Sequence, residues 1–211
     1  MSRDVELTKA LGGSHSVGAA TVARIERFIE LALKWNSAIN LVGRSTAPQI
    51  WERHVIDSAQ IFKCATRDQQ VWLDLGSGGG FPGIVVAILA DEIFPQLRVH
   101  LVESDKRKAV FLSESGRQLG LKLAVHAGRI QDLPPQQADV VSARALATLD
   151  DLCGYAVPHL KANGICAFPK GASAQEEIET ARKTWSFQID QVASITDSRA
   201  SVLFLKDLKR V

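Results

Sequence analysis

Apolar residues in the first part of the chain recur at helical intervals. Val22, Ile25, Ile29, Ala32 and Leu33 share one face of a helix, with Arg24, Arg27 and Lys34 largely off it. The stretch 36–43 interrupts that pattern. Ser45 or Thr46 is placed to cap a second helix, with Pro48 in its first turn. Ile50, Trp51, His54, Val55, Ser58, Ile61 and Phe62 give this second helix a broad inner face. Trp35 and Trp51 read as core aromatics that enlarge a small helical block.

From Val71 onward short apolar runs alternate with helical patterns. Strands are predicted at 71–75, 99–102, 123–126, 139–142 and 165–168. Helices are predicted at 84–90, from about 106 to 119 with Gly120 as the stop, at 149–160 and at 176–183. Such alternation calls for an α/β fold with a mostly parallel sheet covered on both faces. The last two runs, 187–192 and 201–205, lack an intervening helix and predict an antiparallel hairpin at the sheet edge. The expected organisation is a helical extension over 1–65 packed on a domain spanning 66–211.

Composition narrows the class. The chain has 211 residues, 46% of them hydrophobic and 23% charged, enough for a substantial core and incompatible with wholesale disorder. A net charge of +2 excludes a strongly basic nucleic-acid coat and a polyanionic tail, yet leaves RNA open as a substrate. Cys64, Cys153 and Cys166 have neither metal-ligand nor disulfide-framework spacing, so reduced thiols and no metal site are expected. The opening MSRDVELTKALGG lacks the apolar segment of a signal peptide, and the run Ile84 to Ala90 is too short to span a bilayer. A cytoplasmic protein with no membrane partner is the expectation.

The strongest motif is Asp74-Leu75-Gly76-Ser77-Gly78-Gly79-Gly80-Phe81-Pro82-Gly83, which follows a strand and opens a helix. Glycines there let the backbone take positive φ and approach a ligand closely. A dinucleotide fingerprint would need glycine where Phe81 stands, so the turn fits the amino-acid part of S-adenosylmethionine better than a pyrophosphate. Glu103 ends the second predicted strand, where a carboxylate can accept hydrogen bonds from both ribose hydroxyls. After the third strand, Ile130 is placed to lie against an adenine face and Gln131 to read its edge.

The position of the methylated atom is read by elimination. Exocyclic-amine methylation commonly uses an Asx/Ser-Pro-Pro-aromatic motif after strand four, where this chain has Ser142-Ala143-Arg144-Ala145-Leu146. Carbon methylation of pyrimidines needs an activated cysteine, and Cys166 lies in an apolar run. A Lys-Asp-Lys-Glu set for ribose methylation is not evident. A ring nitrogen such as guanine N7 has a lone pair and no proton to lose, so it needs alignment and water exclusion but no general base. No catalytic residue is assigned.

These strings resemble a known family. DLGSGGGFPGI, Arg53-His54-Val55-Ile56-Asp57-Ser58, VSARALATLDDL, Phe168-Pro169-Lys170-Gly171 and Arg199 to Lys206 resemble the RsmG (GidB) small-subunit rRNA guanine-N7 methyltransferases, from about Val17 to the end. The resemblance implies a Rossmann-like class I methyltransferase fold with S-adenosyl-L-methionine as cofactor. Its substrate would be 16S rRNA within a small-subunit particle, and the protein a monomer. It puts Gly76, Phe81, Ile130, Gln131 and Arg144 on cofactor-contacting positions, with Ser77 and Gly78 in the same turn and Glu103 at the ribose. Phe81 stands where leucine is common, Gln131 where an acid is common, and Pro169 where an apolar residue usually precedes Lys-Gly.

Arg53, His54, Lys170 and Arg199, with Arg144, are the candidate RNA contacts, because their segments should converge on the carboxyl edge of the sheet. Asp57 is placed to pair with Arg53 four residues earlier. Lys106-Arg107-Lys108 reads as a solvated helical turn. The tail from Arg199 carries a net +3 that can reach RNA, and a small basic patch is expected around the cofactor mouth. Two other readings stay open: a non-catalytic ribosome-assembly factor that retains the fold, and a dinucleotide-dependent oxidoreductase, which Phe81 disfavours.

Overall fold

The computed structural model describes residues 1–43 and 45–211. Seven strands form one sheet: β1 (Val71–Leu75), β2 (Arg98–Glu103), β3 (Leu123–Ala127), β4 (Ala138–Ala143), β5 (Leu160–Lys170), β6 (Trp185–Ala193) and β7 (Ser201–Arg210). Their spatial order is β3-β2-β1-β4-β5-β7-β6. The first five strands pair in parallel, whereas β7 runs antiparallel to both β5 and β6. The predicted edge hairpin is therefore present, with β7 inserted between β5 and β6. Chain order reverses between β1 and β4, and open α/β sheets form their ligand crevice at such a switch point.

The helices are α1 (Arg3–Ala10), α2 (Ala19–Asn36), α3 (Asp57–Ala59), α4 (Gly83–Ile93), α5 (Lys106–Gln118), α6 (Leu149–Ala156) and α7 (Ala174–Ala181). Alternating side chains of the central strands feed two apolar layers. Trp72, Leu101, Val140 and Phe204 join one that includes α2 and α4, while Leu73, Val102, Val141 and Leu203 join another with α6 and α7. Helix α4 is apolar all round because it is covered on both sides. Every residue from Gly83 to Ala90 is buried between the sheet and the N-terminal helices. Burial of α4 thus makes the N-terminal block part of the fold's main core.

Several predicted elements differ. Helix α1 was not anticipated: its apolar content is low, and it is held by Leu7 and Ala10 in the core and by Glu6, which accepts a 2.6 Å bond from Trp51 Nε1. The second predicted helix is a composite. A 3₁₀ turn at Ala47–Gln49 leads into a π-helical turn at Trp51–Ile56, then α3, then a 3₁₀ turn at Gln60–Cys64. The helix predicted to 160 stops earlier: α6 gives way to a 3₁₀ turn at Val157–His159, and Leu160 begins β5. Strand β7 extends to Arg210 and runs away from the carboxyl edge, since Ser201 pairs with Lys170 whereas Leu205 pairs with Cys166. The tail cations Lys206, Lys209 and Arg210 accordingly lie toward the opposite edge, away from the glycine turn.

Phe28 of α2 is fully buried, with its ring centroid 4.9 Å from Phe81 and 6.4 Å from Phe111. It joins the N-terminal block to the glycine turn and to α5. Phe28→Ala should destabilise the protein by about 3–5 kcal/mol, read as a lower denaturant midpoint. An unchanged midpoint would show that this junction is not tightly packed.

Candidate active site

Strand register assembles the site. Leu75 pairs with Val102 on one side and with Ala143 on the other, so Gly76, Glu103 and Arg144 emerge side by side at the carboxyl edge. Glu103 pairs in turn with Ala127, which brings the following loop with Ile130 and Gln131 to the same edge. These residues, with Ser77, Gly78, Phe81, Arg53, His54, Lys170 and other neighbours, line one cleft of about 1440 Å³. Arg199 does not line it, but the β6–β7 loop that carries Arg199 does so through Thr196 and Asp197.

The glycine turn is tied down from below. Ser77 N donates to Val102 O at 3.0 Å, and Gly78 N donates to Glu103 Oε2 at 2.8 Å. The other carboxylate oxygen, Oε1, accepts from Asp105 N at 2.8 Å. Glu103 is buried and acceptor-only, and each oxygen keeps further lone-pair capacity for a hydroxyl donor. Gly76 and Gly78 have φ of +64° and +52°, the left-handed region that glycine adopts freely. A Cβ on Gly78 would meet only Gly76 O, at 3.7 Å, and otherwise open space, so the missing side chain leaves room over the turn.

Beneath the turn, Trp72 Nε1 donates to Ser142 Oγ at 2.9 Å, and that hydroxyl donates to Asp74 Oδ1 at 2.7 Å. Asp74 is fully buried, and its Oδ2 has no hydrogen-bond partner. Burial pushes its carboxyl up to about 6, although Ser142 works in the opposite direction.

Arg144 occupies a cage built by the π turn. Its Nη1 donates to Arg53 O and to Asp57 Oδ2, both at 3.2 Å, and its Nη2 donates to His54 Nδ1 at 2.7 Å. Its guanidinium lies 5.7 Å from the Phe81 ring centre. His54 Nε2 bonds to Thr46 Oγ1 at 2.9 Å, and burial followed by the charges of Arg144 and Arg53 lowers the His54 pKa to about 4. The next residue, Ala145, takes φ +52° without being glycine, a strained conformation of the kind that clusters at functional sites. It turns Leu146 over Gly76, whose Cβ would lie 2.7 Å from Leu146 Cδ1.

The candidate RNA contacts separate into two groups. Arg53 and Arg199 are exposed and flank Asp197, at 3.8 and 3.3 Å, so the expected Arg53–Asp57 pair is corrected: Asp57 pairs with Arg144 instead. His54 and Lys170 face inward. Lys170 Nζ donates to Ala147 O at 2.8 Å and to Glu177 Oε2 at 2.7 Å, with its side chain only 8% exposed. Glu177 also receives Leu149 N at the start of α6, so Lys170 braces the loop after β4 rather than presenting a free cation.

The expected basic patch is absent among the described residues. Arg53, Lys106, Lys108, Arg129, Arg144 and Lys170 line the cleft, but so do Asp57, Glu103, Asp105, Asp132, Glu177 and Asp197. Ile130 is half-buried and Gln131 exposed on the far wall. The three cysteines are free, and burial pushes Cys64 and Cys153 up to about 12 and Cys166 well above the ordinary thiol value. Such thiols make poor nucleophiles. The residues missed from sequence are Thr46, Asp105, Ala145, Leu146 and Glu177. Asp105 carried a local signal as the N-cap of α5, and Thr46 carried one only as a cap candidate, not as a partner of His54.

Residues 21–203 match the GidB family model, described as rRNA small subunit methyltransferase G. A protein of that description from Cereibacter sphaeroides is 53% identical over 195 residues, covering 92% of this chain and 95% of its own. Another from Ruegeria pomeroyi is 44% identical over 196 residues, covering 93% and 96%. Among solved structures, an S-adenosylmethionine-dependent methyltransferase from Aquifex aeolicus superposes with TM-score 0.56 at 14% identity, covering 76% of this chain and 93% of its own. A T. thermophilus 16S rRNA N2 methyltransferase, solved with AdoMet and guanosine, gives 0.53 at 14% identity, covering 72% and 38%. Both superpositions show a shared fold.

Asp74 generates a pH signature. Its folded pKa lies above the unfolded value near 3.8, so the fold favours the neutral acid, and this contribution falls away as pH rises from about 4 through about 6. Asp74→Asn lacks that loss. Its stability relative to the parent should rise by about 2 kcal/mol between pH 4 and pH 7 in denaturant titrations. A difference independent of pH would place the ionisation elsewhere.

Proposed function

The chain belongs to the rRNA small subunit methyltransferase G family, and on that premise we propose that it methylates guanine N7 of 16S rRNA with S-adenosyl-L-methionine as donor. The observation that carries this reading is the Glu103 carboxylate, buried at the end of β2 and bonded to the Gly78 amide of the positive-φ turn.

The residues present fit the cofactor. The room over Gly78 is space that any side chain there would fill, and Glu103 offers acceptors to the ribose hydroxyls. Ile130 supplies an apolar wall for the adenine, with Gln131 at its edge, and Arg144 supplies a cation for an anionic group. Ser77 holds the turn to β2. When bound, S-adenosylmethionine supplies a methyl group activated by its sulfonium.

Guanine N7 attacks with a lone pair and carries no proton, so the chain need not remove one. The site is consistent with that demand. His54 is the imidazole in the cleft, and both of its nitrogens are engaged, one by Arg144 and one by Thr46. The work of the protein is then to hold the acceptor in line with the donor and to keep water out. Phe81 and Leu146 supply apolar surface at the turn for that purpose.

Arg53 and Arg199 are the cations we assign to RNA phosphates, because both are exposed beside the cleft and on separate elements. With cations and carboxylates interleaved at the mouth, counterion release supplies little sequence-blind affinity. This supports a folded small-subunit particle, rather than free RNA, as the substrate. Large exposed apolar side chains such as Val5, Leu33 and Val110 sit on separate helices, which supports a monomer. No helix among the described residues is long and apolar enough to cross a membrane, consistent with action in the cytoplasm.

The test is mass spectrometry of nucleosides from small-subunit rRNA of a strain lacking the gene. One 7-methylguanosine should be missing and should return when the intact gene is restored. An unchanged nucleoside profile would replace the enzymatic reading with that of an assembly factor that retains the fold.

A further inference from the structure

The π turn at Trp51–Ile56 turns three acceptors toward one side chain of the sheet domain. Arg53 O, Asp57 Oδ2 and His54 Nδ1 take three N–H groups of Arg144, two from Nη1 and one from Nη2. A guanidinium has five such groups. The Nε–H and the second Nη2–H have no protein acceptor among the described residues, and Arg144 lines the cleft beside Gly76 and Glu103. The imidazole completes the cage only in one form. Arg144 can donate to Nδ1 only if that nitrogen is bare, so the ring proton sits on Nε2 and is directed to Thr46 Oγ1.

We propose that His54 is a positioning residue: as a neutral imidazole protonated on Nε2, it fixes Arg144 so that its two remaining N–H groups present a planar fork to the carboxylate of the donor's amino-acid half. A guanidinium fork matches a carboxylate in two parallel hydrogen bonds, and fixing its plane beforehand reduces the ordering cost of binding. A protonated His54 would place a second cation 2.7 Å from the first and could not accept its hydrogen bond. The depressed basicity of His54 agrees with this arrangement. The ring also packs against Phe81, with centroids 5.1 Å apart, so it has little freedom to swing out. The helical extension thereby becomes part of the cofactor site. This inference rests on the reading of the cleft as an S-adenosylmethionine site.

The test uses the full chain in three forms: wild type, His54→Phe and His54→Asn. Phenylalanine keeps the ring against Phe81 and removes the acceptor, whereas asparagine returns an amide oxygen near the place of Nδ1. Binding of S-adenosylmethionine by calorimetry and of small-subunit rRNA by filter retention are measured side by side. His54→Phe should weaken donor binding about tenfold or more, and His54→Asn should recover to within about threefold of wild type. RNA affinity should be the same in all three. Nitrogen NMR of the wild-type imidazole should show the neutral Nε2–H tautomer at pH 6, a readout that does not depend on whether the variants fold. Donor binding unchanged in His54→Phe, a selective loss of RNA affinity, or an Nδ1–H tautomer would each overturn the proposal. A wild-type protein that fails to bind the donor at all would instead overturn the proposed function.

Discussion

A single carboxylate sets the geometry on which the cleft depends. Glu103 ends β2, and its two oxygens receive the amides of Gly78, in the turn after β1, and of Asp105, at the cap of α5. Charge-assisted bonds to backbone amides are short and strong, and here they act where water is largely excluded. They fix the depth at which the turn crosses the edge of the sheet. The positive φ at Gly78 directs its amide down to the carboxylate while leaving the space above it open. A residue with a side chain would disturb both effects together.

The second half of the site comes from outside the sheet domain. Arg144 leaves β4 at the switch point and is held by the carbonyl, carboxylate and imidazole of the π turn. Irregular helical turns of this kind are frequent at functional sites because they redirect backbone carbonyls and side chains that a regular helix would keep along its own axis. The buried helix α4 explains why the two parts cannot be separated. Its outer face is apolar and needs the N-terminal helices as a cover, and that cover delivers the π turn to the cleft. Gln60 extends the same logic to the β6–β7 loop, accepting from Ile195 N at 2.8 Å and donating to Ser194 Oγ at 3.2 Å.

Much of this arrangement was legible from residue pattern, for reasons that are local. Strand and helix periods located β1 to β5 and the α4 and α5 helices, and the glycine turn with Glu103 located the edge of the sheet where the cleft opens. What was not legible depends on partners distant in the chain. His54 and Lys170 read as candidate RNA contacts because sequence does not show that Arg144 and Glu177 meet them. Asp57 sits four residues from Arg53, the usual spacing of a helical pair, but the π turn changes the angular step and sends it to Arg144. Ala145 carries no turn signature, so its positive φ is imposed by the fold around it. The net +2 likewise said nothing about the mouth, where charge is balanced by interleaving rather than by scarcity.

The central claim is that the Gly78 amide and the open space above it, organised on Glu103, form the seat of the donor. Calorimetric titration of S-adenosylmethionine into Gly78→Val tests it most directly. A valine at φ +52° fills that space and pulls the amide off the carboxylate, while no protein side chain stands in its way. Donor affinity should fall about hundredfold or more, with a melting temperature lowered by only a few degrees. Donor binding equal to that of the wild type, in a folded variant, would contradict it.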